Sequence, residues 1–168
     1  MQKAKQRSEI AKQDKWRIED IYATDEAWEA DYNECIRRAK EKCVYQGRLA
    51  ESALILYQAL KESDEADLLV EHVYVYAFMK YYEDTANAVY QEMSGRAQAA
   101  VTKLSEKYAF LTPEILAIDQ KKMQEYLNSD TLALYRHALE DILAKKEHAL
   151  SEKEERLLAM AGQVTASP

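Results

Sequence analysis

Three glycines and two prolines are the whole supply of the strongest turn-forming residues in this 168-residue chain. A β-sandwich or barrel needs a turn every eight to twelve residues, so that scarcity excludes the turn-dense β folds. Long stretches rich in Ala, Glu, Lys, Leu and Gln favour helix instead. The expected class is all-α, a multi-helix antiparallel array of about six to seven helices. A chain of this length fits one domain and can bury roughly 70% of the surface it exposes when unfolded.

Apolar spacing and capping residues place the helices. Residues 1–13 read as a basic, disordered arm, and 163–168 as an unstructured tail, leaving 14–162 as one helical lobe. Residues 14–23 read as an extended lead-in anchored by Trp16, Ile18 and Ile21. Thr24 is a natural N-cap, with Asp25 and Glu26 in the first turn, where carboxylates complement the helix dipole. Trp28, Tyr32, Cys35, Ile36, Ala39 and Cys43 then form one apolar stripe, predicting a helix to about Tyr45 that stops at Gly47.

A second helix is expected over 50–62, broken at Ser63-Asp64, and a third over 65–83. Within the third, the run Val73 to Phe78 has strand-like alternation, but no Gly, Pro or Asn bounds it, so helix is the reading taken. Asp84 or Thr85 is expected to cap a long fourth helix to about Tyr108. Its Ser94-Gly95, with Ala97, Ala99 and Ala100, offers a low-profile packing surface or a mild kink. Thr112-Pro113 opens a short helix, 119–128 forms another, and Asp130 or Thr131 opens one to about Glu147. Ser151 to Glu154 makes a capping box, and Gly162 ends the last helix.

Charge and cysteine usage narrow the function classes. A formal charge of −7 and pI near 5.1 oppose a nucleic-acid role, which needs clustered Lys and Arg. Positive charge concentrates in the first 17 residues, where six basic side chains meet only Glu9 and Asp14. No apolar run approaches the ~20 residues of a membrane span. Cys35 and Cys43, about 12 Å apart along one expected helix, cannot pair with each other, and two free thiols fit a reducing cytoplasm.

No catalytic constellation is complete. A zinc hydrolase helix carries two His four residues apart with a Glu between them, and His72, His137 and His148 all lack that spacing. His137 with Glu140 and Asp141 makes at most half a metal site, with a surface ion pair as the plainer reading. There is no Cys-x-x-Cys, no phosphate-binding Gly loop and no Gly-x-Ser-x-Gly elbow. The expectation is therefore no catalytic residue, metal ligand or cofactor within this chain.

Tyr is abundant, with 12 residues. Tyr74, Phe78, Tyr81 and Tyr82 fall at i, i+4, i+7 and i+8 and would make a wide aromatic face. Two readings stay open: rings lining a peptide channel, or rings filling the core and its margin with hydroxyls at the surface.

Four ordered blocks carry a family resemblance. They are Lys15-Trp16-Arg17-Ile18-Glu19-Asp20-Ile21-Tyr22 with its continuation to Trp28, Tyr81 to Asn87, Ala133 to His137, and His148 to Ala159. Together they resemble the N-terminal region of the oligoendopeptidase F family, zinc metallopeptidases that hydrolyse oligopeptides. The resemblance implies a non-catalytic helical lobe that walls part of a substrate cleft. Its partners would be a C-terminal catalytic domain of the same polypeptide, holding the zinc, and the oligopeptide substrate, with no nucleic acid or membrane. A stand-alone helical interaction module is the competing expectation.

Overall fold

The computed structural model describes residues 10–146, and all the regular structure there is helical. The α-helices are α1 (Asp25–Lys40), α2 (Ala53–Glu83), α3 (Ala88–Tyr108), α4 (Leu111–Ala117), α5 (Gln120–Leu127) and α6 (Arg136–Lys146). Short 3-10 turns lie at Lys12–Asp14, Ile18–Asp20 and Asp130–Tyr135. The expected arm and tail, the Ser151 capping box, Gly162 and His148 fall wholly or largely outside the described residues.

Most helix starts carry a side-chain cap that accepts from the free amides of the first turn. Thr24 accepts from the Ala27 amide, as its sequence context predicts, and Ser52 accepts from Ile55. Asp119 caps α5 through the amides of Lys121 and Lys122. Asn87, rather than Asp84 or Thr85, caps α3, because the chain spends Asp84 on ending α2 and turning at Ala86. The Val73 to Phe78 run is helical.

Other expected boundaries move as well. α1 stops at Lys40, five residues short of Tyr45, with Glu41 already extended. The buried Lys107 ammonium explains the early stop: it donates to the Arg38 carbonyl at 2.9 Å, satisfying a C-terminal acceptor from another helix. Cys43 thus lies beyond α1 rather than on its stripe, though both cysteines remain free and buried. Ser63-Asp64 does not break the next helix either, and α2 runs unbroken for 31 residues, about 46 Å. The polar residues there point at partners: Asp64 accepts from the Tyr135 hydroxyl at 2.7 Å, and Glu62 accepts from Tyr108 at 2.9 Å. Finally, the stretch from Asp130 begins as a 3-10 turn capped by Ser129 before α6 takes over at Arg136.

α2 is the spine. α1 and α3 pack on it and on each other, while the Asp130–Tyr135 turn covers its N-terminal half and bridges it to α5 and α6. Trp28 sits at the α1–α2–α3 junction, 1% exposed, donating its indole N–H to the Val73 carbonyl at 2.8 Å. It stacks on Tyr32, and the Arg96 guanidinium of α3 covers both rings at 5.2 and 4.2 Å. In the lead-in, Ile18 and Tyr22 are the buried anchors and Ile21 packs at the core margin, whereas Trp16 is 54% exposed.

Gly95 does not serve close packing. A side chain added there would meet nothing within 4 Å, and the low-profile contact comes from the buried Ser94, Ala97 and Ala100, with Ala99 outside. Gly47 lies in the turn after α1 with φ +82, and its N–H donates to the Glu114 carboxylate of α4.

Two predictions follow from this packing. Trp28→Phe should destabilise the chain by about 2–4 kcal/mol, through the lost hydrogen bond and the unfilled volume, read as a lower urea midpoint at constant slope. A loss under about 1 kcal/mol would remove Trp28 from its place at the junction. The glycines should respond oppositely: Gly95→Ala should stabilise by about 0.5–1 kcal/mol, and Gly47→Ala should cost about 1–2 kcal/mol because its backbone is left-handed. Equal effects at both sites would contradict the two backbone assignments.

Candidate functional site

Hydroxyl partners set five of the twelve tyrosines apart from the rest. Tyr22, Tyr76, Tyr108 and Tyr135 each donate to a carboxylate, at Asp31, Asp25, Glu62 and Asp64, over 2.7–2.9 Å. Tyr126 donates to the Ala50 carbonyl at 2.9 Å. All five are buried and join segments distant in sequence, except that Tyr22 reaches only the neighbouring α1. Burial, then the accepting carboxylate, raises the pKa of Tyr22, Tyr108 and Tyr135, and lifts that of Tyr76 to about 12, so these hydroxyls stay neutral donors.

Around Tyr76 the struts form a network. Burial disfavours the Asp25 carboxylate, but hydrogen bonds from Tyr76 and Lys80 outweigh it and hold its pKa below the ordinary value. Lys80 lies 3.0 Å from Asp25 and over the rings of Tyr76 and Tyr90. These tyrosines are fastenings of the fold.

Tyr74, Phe78, Tyr81 and Tyr82 behave differently. The structure does bring the four rings together along the outer side of α2, away from the buried Val73 and Ala77. Tyr74 stacks on Phe78 at 4.2 Å, Phe78 meets Tyr81 edge-on at 6.4 Å and Tyr82 at 6.0 Å, and Tyr81 lies 5.3 Å from Tyr82. None of the three hydroxyls has a hydrogen bond to a described residue. Tyr74, Phe78 and Tyr81 are half-buried, and Tyr82 is 62% exposed. The face is thus neither core nor isolated rings, but a continuous ladder with apolar faces and unused hydroxyls.

One turn towards the N-terminus, the same side of α2 carries Asp67 and Glu71, which sequence reasoning did not single out. Their i, i+4 spacing, and the spacing of Glu71 from Tyr74, was the signal that could have found them. Neither carboxylate has an ion pair with a described residue. Burial, with the nearby charges of Asp64 and Glu71, raises the pKa of Asp67.

The described residues do not fit a zinc centre. No three or more His, Cys, Asp or Glu side chains among them are grouped to hold a metal. His72 is exposed, and the His137 side chain is 88% exposed with Asp141 at 3.8 Å, the surface ion-pair arrangement. Burial, then the charge of Asp31, pushes the Cys35 thiol up to about 11, so it is no nucleophile. No helix among the described residues is long and apolar enough to cross a membrane.

Comparisons with known proteins agree on one group. A family model described as Oligopeptidase F matches residues 114–168. Oligopeptidase PepF of Bacillus subtilis is 40% identical over 96% of this chain and 24% of its own length. A solved oligoendopeptidase-F from Enterococcus faecium superposes with a TM-score of 0.68 at 30% identity, over 83% of this chain and 27% of that one. A solved chain from Chlamydophila abortus shares the fold, with a TM-score of 0.79 at 24% identity over 95% of this chain and 27% of that one. The chain spans about a quarter of the length of the curated relatives it matches.

The fastening tyrosines and the ladder should separate under mutation. Tyr135→Phe, which leaves Asp64 without its donor, should cost about 1–2 kcal/mol, whereas Tyr82→Ala should stay within about 0.5 kcal/mol of the parent. Thermal unfolding of both variants reads this directly. A Tyr82→Ala loss as large as that of Tyr135→Phe would make the ladder part of the core.

Proposed function

Because this chain belongs to the oligoendopeptidase F family, matching about the N-terminal quarter of its relatives, we propose that residues 14–162 form the non-catalytic N-terminal lobe of a zinc metallopeptidase acting on oligopeptides. The ladder of Tyr74, Phe78, Tyr81 and Tyr82 walls one side of the substrate cleft. The observation that carries this reading is the continuous run of ring contacts along the outer side of α2, whose three hydroxyls have no partner among the described residues. A peptide in extended form offers carbonyls and amides to such hydroxyls and side chains to the rings between them.

The lobe's chemistry is binding and exclusion. Rings along the α2 outer face remove water from the peptide's apolar side chains, and a wall of packed helices admits a flexible chain while refusing a folded one. In this reading the zinc and the bond-breaking groups belong to a C-terminal catalytic domain of the same polypeptide, supported by relatives of whose length this chain covers 24% and 28%. A cytoplasmic setting is part of the proposal, supported by two free, buried thiols.

The test is kinetic, in the polypeptide that carries the catalytic portion. Tyr81→Ala and Tyr82→Ala should each raise KM for a peptide substrate roughly three- to tenfold while leaving kcat and the melting temperature near the parent values, the signature of lost uniform binding. Unchanged kinetics accompanied by lower stability would place the rings in the core and end this reading. The 168-residue chain alone should hydrolyse nothing, and hydrolysis abolished by His137→Ala would refute the assignment of a non-catalytic lobe.

A further inference from the structure

Beside the aromatic ladder, α2 and α3 leave an open groove of about 320 Å³, lined by Val70, Glu71, Tyr74, Gln98 and Val101. Its walls are mostly apolar, and Glu71 is its one charged lining residue. We propose that this groove receives a Lys or Arg side chain of a bound peptide, its aliphatic stem against Val70, Val101 and Tyr74 and its cationic head at Glu71. The inference rests on the reading of the α2 outer face as a peptide-binding wall and names what that wall selects.

Charge complementarity decides the occupant. Asp64, Asp67 and Glu71 follow one another within two turns of α2, and neither Asp67 nor Glu71 pairs with a described cation. Across the groove, α3 contributes Gln98 and Val101, neither of them basic. Elsewhere the fold does pair its acids across helices: Glu29 meets Arg96, Asp25 meets Lys80, and Glu62 meets Lys107. Glu71, an acid left without a cation among the described residues, is thus the one that lies on the groove. Mutual repulsion raises the Asp67 pKa after burial, and an incoming cation would relieve it.

The side-chain chemistry fits a long cation better than its alternatives. Lys and Arg lay a methylene stem along apolar surface while keeping the charged end at the rim. Tyr74, stacked on Phe78 at 4.2 Å, adds a ring towards which a guanidinium or ammonium is drawn. An acidic side chain would meet the Glu71 carboxylate, and a purely apolar one would leave Glu71 shielded from water without a partner.

The experiment uses fluorescence anisotropy of the 168-residue chain with a labelled nine-residue peptide carrying one central Arg, and matched peptides with norleucine or Glu at that place. The Arg peptide should bind roughly five- to tenfold more tightly than the norleucine peptide, and the difference should shrink with added salt. Glu71→Gln should bring the Arg peptide to within about twofold of the norleucine peptide without changing the latter. Gln98→Lys, on the opposite wall, should do the same through a placed positive charge. Equal affinity for all three peptides in the parent chain overturns the inference and leaves the cleft-wall reading standing. Binding of none also overturns it, while the cleft-wall reading stands or falls separately on the KM of Tyr82→Ala. Self-association in sedimentation that Glu71→Gln abolishes would put a second copy of the chain in the groove and refute the peptide assignment.

Discussion

A single buried indole holds the three long helices in register. Trp28 belongs to α1, donates to the backbone of α2 at Val73, and lies under the guanidinium of Arg96 from α3. Arg96 is itself fixed at both ends, by the Tyr32 and Trp28 rings and by the Glu29 carboxylate. Hydrophobic burial alone is non-directional and would let amphipathic helices slide and rotate. A donor aimed at one particular carbonyl cannot slide. Because that carbonyl is in the C-terminal half of α2, the register it sets also decides which α2 residues face away from the core. The outward position of the aromatic ladder is a consequence of where Trp28 docks.

The tyrosine fastenings extend that logic over the rest of the chain. Tyr108 ties α3 to α2 at Glu62, Tyr135 ties the 3-10 turn to α2 at Asp64, and Tyr126 ties α5 to the loop before α2. Each places a rigid ring in the core and a directed bond at its edge, with few torsions to freeze. Their acceptors on α2 are carboxylates that local reasoning treats as breakers or as solvent-facing. The long spine is continuous through Ser63-Asp64 because those polar groups meet donors from elsewhere in the fold.

That explains which parts were legible in the sequence. Features set by neighbours in the chain could be read: the Thr24 cap, the short helix after Asp119, the helical state of Val73 to Phe78, and the spacing that gathers four rings on one face. Features set by distant residues could not. The end of α1 depends on Lys107, some 69 positions away, and the continuity of α2 involves Tyr135, 71 positions from Asp64. The same limit applies to the site. The ladder is a property of α2 alone and shows as periodicity, whereas the adjacent groove exists only because α3 lies beside α2. Nothing in the spacing of Gln98 and Val101 announces that they face Glu71.

The distribution of compensated charge separates structure from function more sharply than charge itself. A chain this acidic repels itself, and the fold offsets this where helices meet, matching Asp25, Glu29 and Glu62 with cations from other helices. Such pairs are partly desolvated, and removing one partner would leave a shielded charge, so they resist change. Asp67 and Glu71 have no such counterpart among the described residues, although a Lys at position 98 or 101 of α3 would supply one at little cost in helix propensity. The helix that could neutralise them instead presents Gln and Val. An apolar wall opposite a carboxylate that has no cation among the described residues is the arrangement that the proposed Lys or Arg side chain would complete.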